Sequence, residues 1–311
     1  MASPPSTRPA VLLLAHGSPD NIADIPEFLS NVGGGRAMPP QVVQEVQHRY
    51  GLIGRSPLTE ISRQQAAALA RELGVPVYLG MRNWKPFAHE AVTQMTADGI
   101  TQAVAICLAP HNSRTSVGLY RRALVGENEK PLPFVLDFVE SWHDHPLLIQ
   151  AFAERLQPCL KLEHSEAGGN VPIIFTAHSV PSRTVSEGDP YENQTKETAS
   201  LVAREAKLDS SAWRFAFQSQ GMSGGPWLGP TVEDTIASLH AQGHKGVLVQ
   251  PIGFLCDHVE VLYDIDIAFR QFAEGRGMHL WRTESLNDSP TLARALADIV
   301  RTRLKAAGFP A

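Results

Sequence analysis

Short apolar runs alternate with amphipathic helical patterns along most of the chain. Apolar residues at helical spacing predict helices over residues 59–73 and 231–242. Apolar runs of strand length that alternate with helices are typical of parallel sheets buried on both faces. The pattern therefore predicts an α/β fold. The runs rich in Val, Ile and Leu are residues 10–15, 75–80, 103–109, 133–139, 171–176, 246–251 and 278–282.

The two halves of the chain resemble each other. Residues 11–19 read VLLLAHGSP, and residues 173–181 read IIFTAHSVP, so both carry a strand followed by Ala-His and a turn proline. A glycine, a strand, a proline and a tyrosine also recur in the same order in both halves. This repeat predicts two Rossmann-like units, an N-terminal one over residues 1–145 and a C-terminal one over residues 146–311.

Composition narrows the class of protein. A chain of 311 residues with 43% hydrophobic content can bury two cores. The net charge is -5 and no dense basic block is present, so nucleic acid is not an expected partner. No apolar run reaches the roughly 18 residues of a membrane span, and the first residues do not read as an export signal. We therefore expect a cytoplasmic protein without an integral membrane segment.

The cysteines do not predict a metal site. Cys107, Cys159 and Cys256 are odd in number, far apart and without CxxC spacing. This spacing argues against a disulfide framework and against thiolate sites for zinc or an iron–sulfur cluster. No glycine-rich phosphate loop and no nucleophile-elbow sequence is present either, so nucleotide chemistry and acyl transfer are not expected.

Four histidines follow predicted strands. They are His16, His111, His178 and His258. Open parallel sheets bind ligands at the carboxyl edge of the strands, where these side chains should meet. A single histidine there is more often a hydrogen-bonded structural residue, whereas four at one edge favour a metal or acid–base site.

An acidic segment follows the last of these histidines. Asp257 is a candidate helix N-cap, and Glu260 and Asp264 are four residues apart, which places both carboxylates on one helix face. A solvated acidic first turn is the alternative interpretation. The apolar neighbours Val259 and Val261 favour a Glu260 carboxylate that faces a cleft.

Eight segments, taken in order, resemble the successive signatures of one family, the ferrochelatases. The resemblance covers essentially the whole chain. It implies two Rossmann-like domains with parallel four-stranded sheets, related by a pseudo-twofold repeat, with a porphyrin cleft between them. The segments are LAHGSP at 14–19, GRSPL at 54–58, GMRNWKPF at 80–87, FTAHSVP at 175–181, GDPY at 188–191, QSQ at 218–220, PWLGP at 226–230 and PIGFLCDHVE at 251–260.

The resemblance also implies an activity and a catalytic pair. Ferrochelatases insert Fe²⁺ into a porphyrin and release two protons in haem biosynthesis, so porphyrin and Fe²⁺ are the expected substrates, with no tightly bound cofactor. Other haem-pathway enzymes are possible partners. His178 and Glu260 are then the facing catalytic pair, and the metal contacts are His178, Glu260 and Asp264. Pyrrole N–H groups are weak acids and need a positioned base, and ferrous iron accepts imidazole and carboxylate ligands.

The division of labour within the pair stays open at this point, because either His178 or Glu260 could take the pyrrole protons. Our working assignment makes His178 the metal contact and the first proton acceptor. Substrate-binding residues follow from the resemblance, with aromatic residues for the apolar ring and cations or hydroxyls for its carboxylate arms. These candidates are His16, Arg49, Ser56, Arg82, Tyr120 and Trp227.

His16 departs from the family pattern, since many compact bacterial relatives carry tyrosine there. It could supply an axial imidazole on the face opposite His178, or hydrogen-bond the first loop. The chain resembles the compact bacterial branch, notably over residues 108–120, and this branch commonly acts on coproporphyrin III to give coprohaem. The alternatives are a protoporphyrin IX ferrochelatase, a non-catalytic haem-binding module, and a cobalt chelatase for a precorrin-like ring.

Overall fold

A computed structural model describes residues 8–126, 131–167, 171–220 and 225–308. The N-terminal half alternates strands and helices as the apolar pattern predicts, with two additional helices between the first strand and the helix predicted at 59–73. In chain order its elements are β1 (Pro9–Ala15), α1 (Ile25–Val32), α2 (Pro40–Ile53), α3 (Leu58–Leu73), β2 (Val77–Met81), α4 (Ala88–Ala97), β3 (Gln102–Cys107), α5 (Val117–Val125) and β4 (Val135–Val139).

The C-terminal half has the same alternation and adds one unusual element. A ten-residue segment that follows the seventh strand forms a π helix, in which backbone hydrogen bonds run i→i+5. The elements are α6 (Pro146–Ala167), β5 (Ile173–His178), α7 (Ser182–Ser186), α8 (Tyr191–Glu205), β6 (Trp213–Gln218), α9 (Val232–Ala241), β7 (Gly246–Pro251), the π helix (Glu260–Phe269), α10 (Arg270–Glu274), β8 (His279–Arg282) and α11 (Pro290–Ala306).

The strands form two four-stranded parallel sheets, which confirms the predicted α/β class. The first sheet has the order β2-β1-β3-β4 and the second has β6-β5-β7-β8. The order is the same in both, with β5 in the place of β1, so the sequence echo between these two strands reflects a structural repeat. The sheets fall on either side of residue 146, and the proposed boundary there stays a prediction.

The apolar pattern does not predict one of the strands. β6 (Trp213–Gln218) pairs in parallel with β5 at the edge of the second sheet. Its sequence is WRFAFQ, in which three aromatic residues alternate with Arg, Ala and Gln and which contains no Val, Ile or Leu. Because it is an edge strand and only half-buried at its start, it has no continuous aliphatic run, and the apolar pattern does not predict it.

The largest apolar core belongs to both halves. It joins buried residues of β1 and α3 to buried residues of β5, α6 and α11, and α11 packs across onto α3. Leu69 of α3 and Leu296 of α11 are both fully buried within it. Because the sheets share this core, the loops at their carboxyl ends keep a fixed spacing. Within the described ranges, no helix has both the length and the apolar character to cross a bilayer.

Candidate active site

A cavity of about 330 Å³ opens between the two halves, among the loops that follow the strands. All four strand-end histidines line it, as the sequence predicts: His16, His111, His178 and His258. The repeat explains this convergence, because β1 and β5 occupy equivalent places in their sheets and each ends in an Ala-His turn. The fold thus brings side chains from distant parts of the chain to one site.

The structure brings six of the predicted site residues together and separates three. Arg49 and Asp264 line a second cavity of about 520 Å³. Ser56 is buried and lines neither cavity, and its Oγ has no hydrogen-bond partner among the described residues. These three therefore lie outside the first cavity, and their predicted site roles stay predictions. The six that line the first cavity are His16, Arg82, Tyr120, His178, Trp227 and Glu260.

His178 and Glu260 face each other across this cavity. Nε2 of His178 lies 3.6 Å from Oε2 of Glu260, and both side chains are about one-third exposed. Nδ1 of His178 lies 2.5 Å from the carbonyl oxygen of Ser179. A carbonyl only accepts, so Nδ1 carries the hydrogen, and in the neutral ring Nε2 presents a lone pair. That nitrogen can take a proton or contact a metal ion.

A second histidine faces Glu260 from the turn that precedes the π helix. Nε2 of His258 lies 3.9 Å from the same Oε2, and Nδ1 donates to the carbonyl oxygen of Cys256 at 3.0 Å. Burial would raise the pKa of Glu260, but the charges of His178 and His258 outweigh burial and lower the pKa to about 2. Burial opposes the positive charge of His258, but contact with Glu260 raises its pKa overall. Glu260 is therefore a persistent carboxylate between two imidazoles.

His16 is a neutral, hydrogen-bonded imidazole. Its Nδ1 lies 3.0 Å from the carbonyl oxygen of Gly17, and its Nε2 lies 2.9 Å from Nδ2 of Asn83. Oδ1 of Asn83 accepts from Nε of Arg82 at 3.1 Å, which fixes the amide so that its NH₂ donates to His16. Burial, and then the charge of Arg82, lower the pKa of His16 to about 4. Of the two predicted roles, this geometry matches the hydrogen-bonded one.

Gly17 allows the first loop to pack so closely. Its φ is +85°, in the left-handed region, and an added Cβ would lie 2.7 Å from the backbone nitrogen of Trp84. Only glycine fits both constraints. The loop therefore lies against the segment after β2, where Asn83 meets His16.

Asp264 lines the second cavity rather than the one that His178 and Glu260 share. Its carboxylate accepts a short hydrogen bond from Ser219 and pairs with Nη1 of Arg49 at 3.4 Å. Burial, with the negative charge of Glu260, raises the pKa of Asp264 to about 6, against the lowering effect of Ser219. Arg49 also pairs with Glu45 at 2.8 Å, so the guanidinium predicted to bind substrate carboxylates already has two protein carboxylates. The predicted metal contact at Asp264 stays a prediction.

Asp257 does not cap the helix, contrary to expectation. The N-cap position falls on Val259, which makes no side-chain capping bond. The Asp257 carboxylate instead accepts from Ser285, Asn287 and Arg282, at 2.7, 3.0 and 3.2 Å respectively. The residue therefore anchors the turn before the π helix to the loop after β8.

Tyr191 of the GDPY segment is a cavity residue that was not among the predicted site residues. Tyr191 lines the cavity, and its hydroxyl donates to the carbonyl oxygen of His178 at 2.9 Å. The adjacent Asp189 accepts from Ser113 and from the backbone of Arg114, both in the other half, at 3.1 and 2.8 Å. The available signal was the Gly-Asp-Pro sequence, which predicts a turn that fixes the start of the next helix at Tyr191.

Arg82 supplies a positive charge to the cavity. Its Nε donates to Asn83, and among the described residues its two Nη nitrogens have no hydrogen-bond acceptor. Burial lowers the pKa of its guanidinium. A half-buried cation without a carboxylate partner favours an anionic ligand. Across the described ranges, no cluster of three or more His, Cys, Asp or Glu side chains is arranged to hold a metal ion.

Known proteins match the chain over nearly its full length. The ferrochelatase family model covers residues 8–304. A ferrochelatase of Acidobacterium capsulatum is 54% identical over 97% of this chain and 98% of its own length. A coproporphyrin III ferrochelatase of a Geobacillus species is 36% identical over 95% and 97%. SirB from Bacillus subtilis, solved with Fe³⁺, shares the fold with a TM-score of 0.62 and 11% identity, over 97% of this chain and 98% of that one.

The family match, the two parallel sheets and the shared cavity all lead to the same assignment. The match is far longer than half of the chain, and the relative at 54% identity covers the same span. The chain therefore belongs to the ferrochelatase family, and it is an enzyme that inserts ferrous iron into a porphyrin in haem biosynthesis.

Proposed function

We propose that this ferrochelatase uses His178 and Glu260 as its reacting pair and that its porphyrin substrate is coproporphyrin III. The observation that carries the catalytic assignment is the 3.6 Å approach of His178 Nε2 to Glu260 Oε2 within the cavity. His178 ends β5 and Glu260 begins the π helix that follows β7, and β5 and β7 are neighbours in the second sheet. Neither side chain sits in a closed metal cage, so iron bound there can move on to the ring nitrogens.

The proton balance gives the two residues different roles. Insertion of Fe²⁺ into a free-base porphyrin forms four Fe–N bonds and releases two pyrrole protons. His178 presents a lone pair at Nε2 and is the first proton acceptor and iron contact. Glu260, with a pKa of about 2, is a poor base near neutral pH. Its carboxylate instead stabilises the cationic imidazole and the incoming Fe²⁺.

The charge and hydroxyl groups of the cavity wall support a substrate with many carboxylates. Among the residues that the structure describes, Arg82 has no carboxylate partner and so offers guanidinium donors, and Thr115 and Ser116 add hydroxyl groups to the same wall. Coproporphyrin III has four carboxylate arms, whereas protoporphyrin IX has two. Relatives in Geobacillus and Bacillus at 34–36% identity are named coproporphyrin III ferrochelatases, which favours the same choice.

The catalytic pair is tested by the variants Glu260→Gln and His178→Ala in an anaerobic assay with ferrous iron. We expect iron insertion to fall at least a hundredfold in both, while porphyrin binding, followed by fluorescence quenching, stays within threefold of wild type. Glu197→Gln is the matched control, because Glu197 also pairs with a histidine, His143, but on the surface. Wild-type turnover in both test variants would contradict the assignment.

The substrate is tested by comparing kcat/KM for coproporphyrin III and protoporphyrin IX. We expect at least a tenfold preference for coproporphyrin III. Arg82→Met should raise the KM for coproporphyrin III more than it raises the KM for protoporphyrin IX, since it removes one carboxylate partner. A wild-type preference for protoporphyrin IX would overturn the choice of substrate and leave the catalytic pair unaffected.

A further inference from the structure

The loop between β8 and α11 contains a residue in an uncommon conformation. Asn287 has a φ of +47°, in the left-handed region that few residues other than glycine occupy. Asparagine tolerates this region better than most residues because its short amide can hydrogen-bond locally. The loop lies beside the turn that leads into the π helix.

All four polar groups of Asn287 are used. Its backbone N–H donates to the carbonyl oxygen of Leu255 at 2.8 Å, and its Oδ1 accepts from the backbone N–H of Asp257 at 2.9 Å. Its Nδ2 donates to Oδ2 of Asp257 at 3.0 Å. Its carbonyl oxygen accepts from Nε2 of Gln65, in α3 of the other half, at 2.7 Å. The donors and acceptors leave one possible amide orientation.

Three of these four bonds hold the turn that precedes His258 and Glu260. Asp257 is followed at once by His258, and Glu260 begins the π helix two residues later. The remaining capacity of the Asp257 carboxylate is taken by Ser285 and Arg282. The backbone of the turn is therefore fixed from the side away from the cavity, and the N-terminal half holds the same loop through Gln65.

We infer that Asn287 is a positioning residue, which sets the distance of Glu260 and His258 from His178 through its bonds to the turn at Leu255–Asp257. Asn287 does not line the cavity and does not touch the reacting groups. The inference rests on the proposed catalytic role of Glu260. A misplacement of about 1 Å at such a site can cost on the order of a hundredfold in rate.

The test is Asn287→Gly, because glycine accepts the left-handed backbone and removes every side-chain bond. We expect kcat for iron insertion to fall at least tenfold, with porphyrin affinity and the KM for ferrous iron within threefold of wild type. Lys207→Gly is the matched control, since Lys207 is exposed and also left-handed, at φ +57°. It should keep wild-type kcat. Wild-type kcat in Asn287→Gly, with or without a lower Tm, would overturn the inference.

A rescue experiment distinguishes a loss of positioning from a loss of folding. Asn287→Asp places a second carboxylate beside that of Asp257 and should lower kcat at least tenfold. Adding Asp257→Asn exchanges the amide and the carboxylate and restores the pair of bonds, so the double variant should recover at least fivefold. Failure to recover would contradict positioning through this pair. If Glu260→Gln stayed active in the same assay, the proposed function would fail separately.

Discussion

Histidines at equivalent strand ends differ in which nitrogen is free. In His16, His178 and His258, Nδ1 donates to a nearby backbone carbonyl, so Nε2 is the lone-pair nitrogen of the neutral ring. In His16, this Nε2 accepts a hydrogen bond from the side-chain amide of Asn83. His111 has the opposite arrangement, because the hydroxyl of Thr198 has carbonyl acceptors for its own hydrogen and therefore accepts from Nε2 of His111. The same residue type thus presents a nitrogen to the cavity at one strand end and makes structural hydrogen bonds at another.

Stability should depend on pH through His111. Burial, and then His143, lower its pKa to about 3, whereas an unfolded histidine has a pKa of about 6.5. Below pH 6.5, His111 is protonated in the unfolded chain but stays neutral in the folded one. The folded state therefore loses stability as the pH falls toward 3. The loss should be about 2 kcal/mol at pH 5. Urea unfolding of wild type and His111→Gln at pH 7.5 and 5 measures it.

The variant should lose less stability than wild type over this pH range, since glutamine does not titrate. His240→Gln, at an exposed position, should show the same loss as wild type. Equal losses in wild type and His111→Gln would contradict the prediction.

At the scale of elements, the loop after β7 packs against the backbone at the end of β5, beside His178 and Glu260. Gly253, in the loop after β7, lies so close to β5 that an added Cβ would be 2.8 Å from Cβ of Ala177 and 3.5 Å from the nitrogen of His178. This approach brings the segment that carries His258 and Glu260 over the end of the strand that carries His178. The small residue is therefore a condition for the 3.6 Å contact.

Gly253→Ala should separate these elements. We expect a loss of about 1–3 kcal/mol in the free energy of unfolding from overpacking, together with at least a tenfold lower kcat. Gly51→Ala is the control, because the nearest atom to its added Cβ is 4.0 Å away and alanine favours the helix α2. Denaturant unfolding and iron insertion measure both effects. An unchanged kcat in Gly253→Ala would rule out this role for the close approach.

At the scale of the whole molecule, the two sheets share one core. Leu69 and Leu296 come from opposite halves and are buried in the same apolar cluster. Cross-half hydrogen bonds at Gln65 and Asp189 add directional contacts above this core. The two halves should therefore unfold together, although the sequence reads as two units.

Leu296→Ala should destabilise both halves at once. Truncating this fully buried leucine should cost about 2–5 kcal/mol, and calorimetry should show one endotherm at a lower Tm. Leu52→Ala, where the leucine is 52% exposed, should change the Tm little. Two separate endotherms in wild type or in Leu296→Ala would show that the halves unfold independently.

Most of the strands and the residue types at the site follow from the sequence alone. Apolar runs located seven of the eight described strands, and the Ala-His repeat placed His16 and His178 at equivalent strand ends. These features depend on local spacing, which a linear pattern records. β6 was missed because its aromatic, half-buried edge sequence has no continuous aliphatic run.

Which of these residues lie together became clear from the three-dimensional packing. It placed Asp264 and Arg49 in a second cavity, buried Ser56 away from both, and turned Asp257 from an expected helix cap into an anchor for Asn287. Contacts between residues far apart in sequence depend on the π-helical turn and on the packing of the two halves. Neither leaves a periodic signal in the chain, so the grouping of side chains could be seen only in three dimensions.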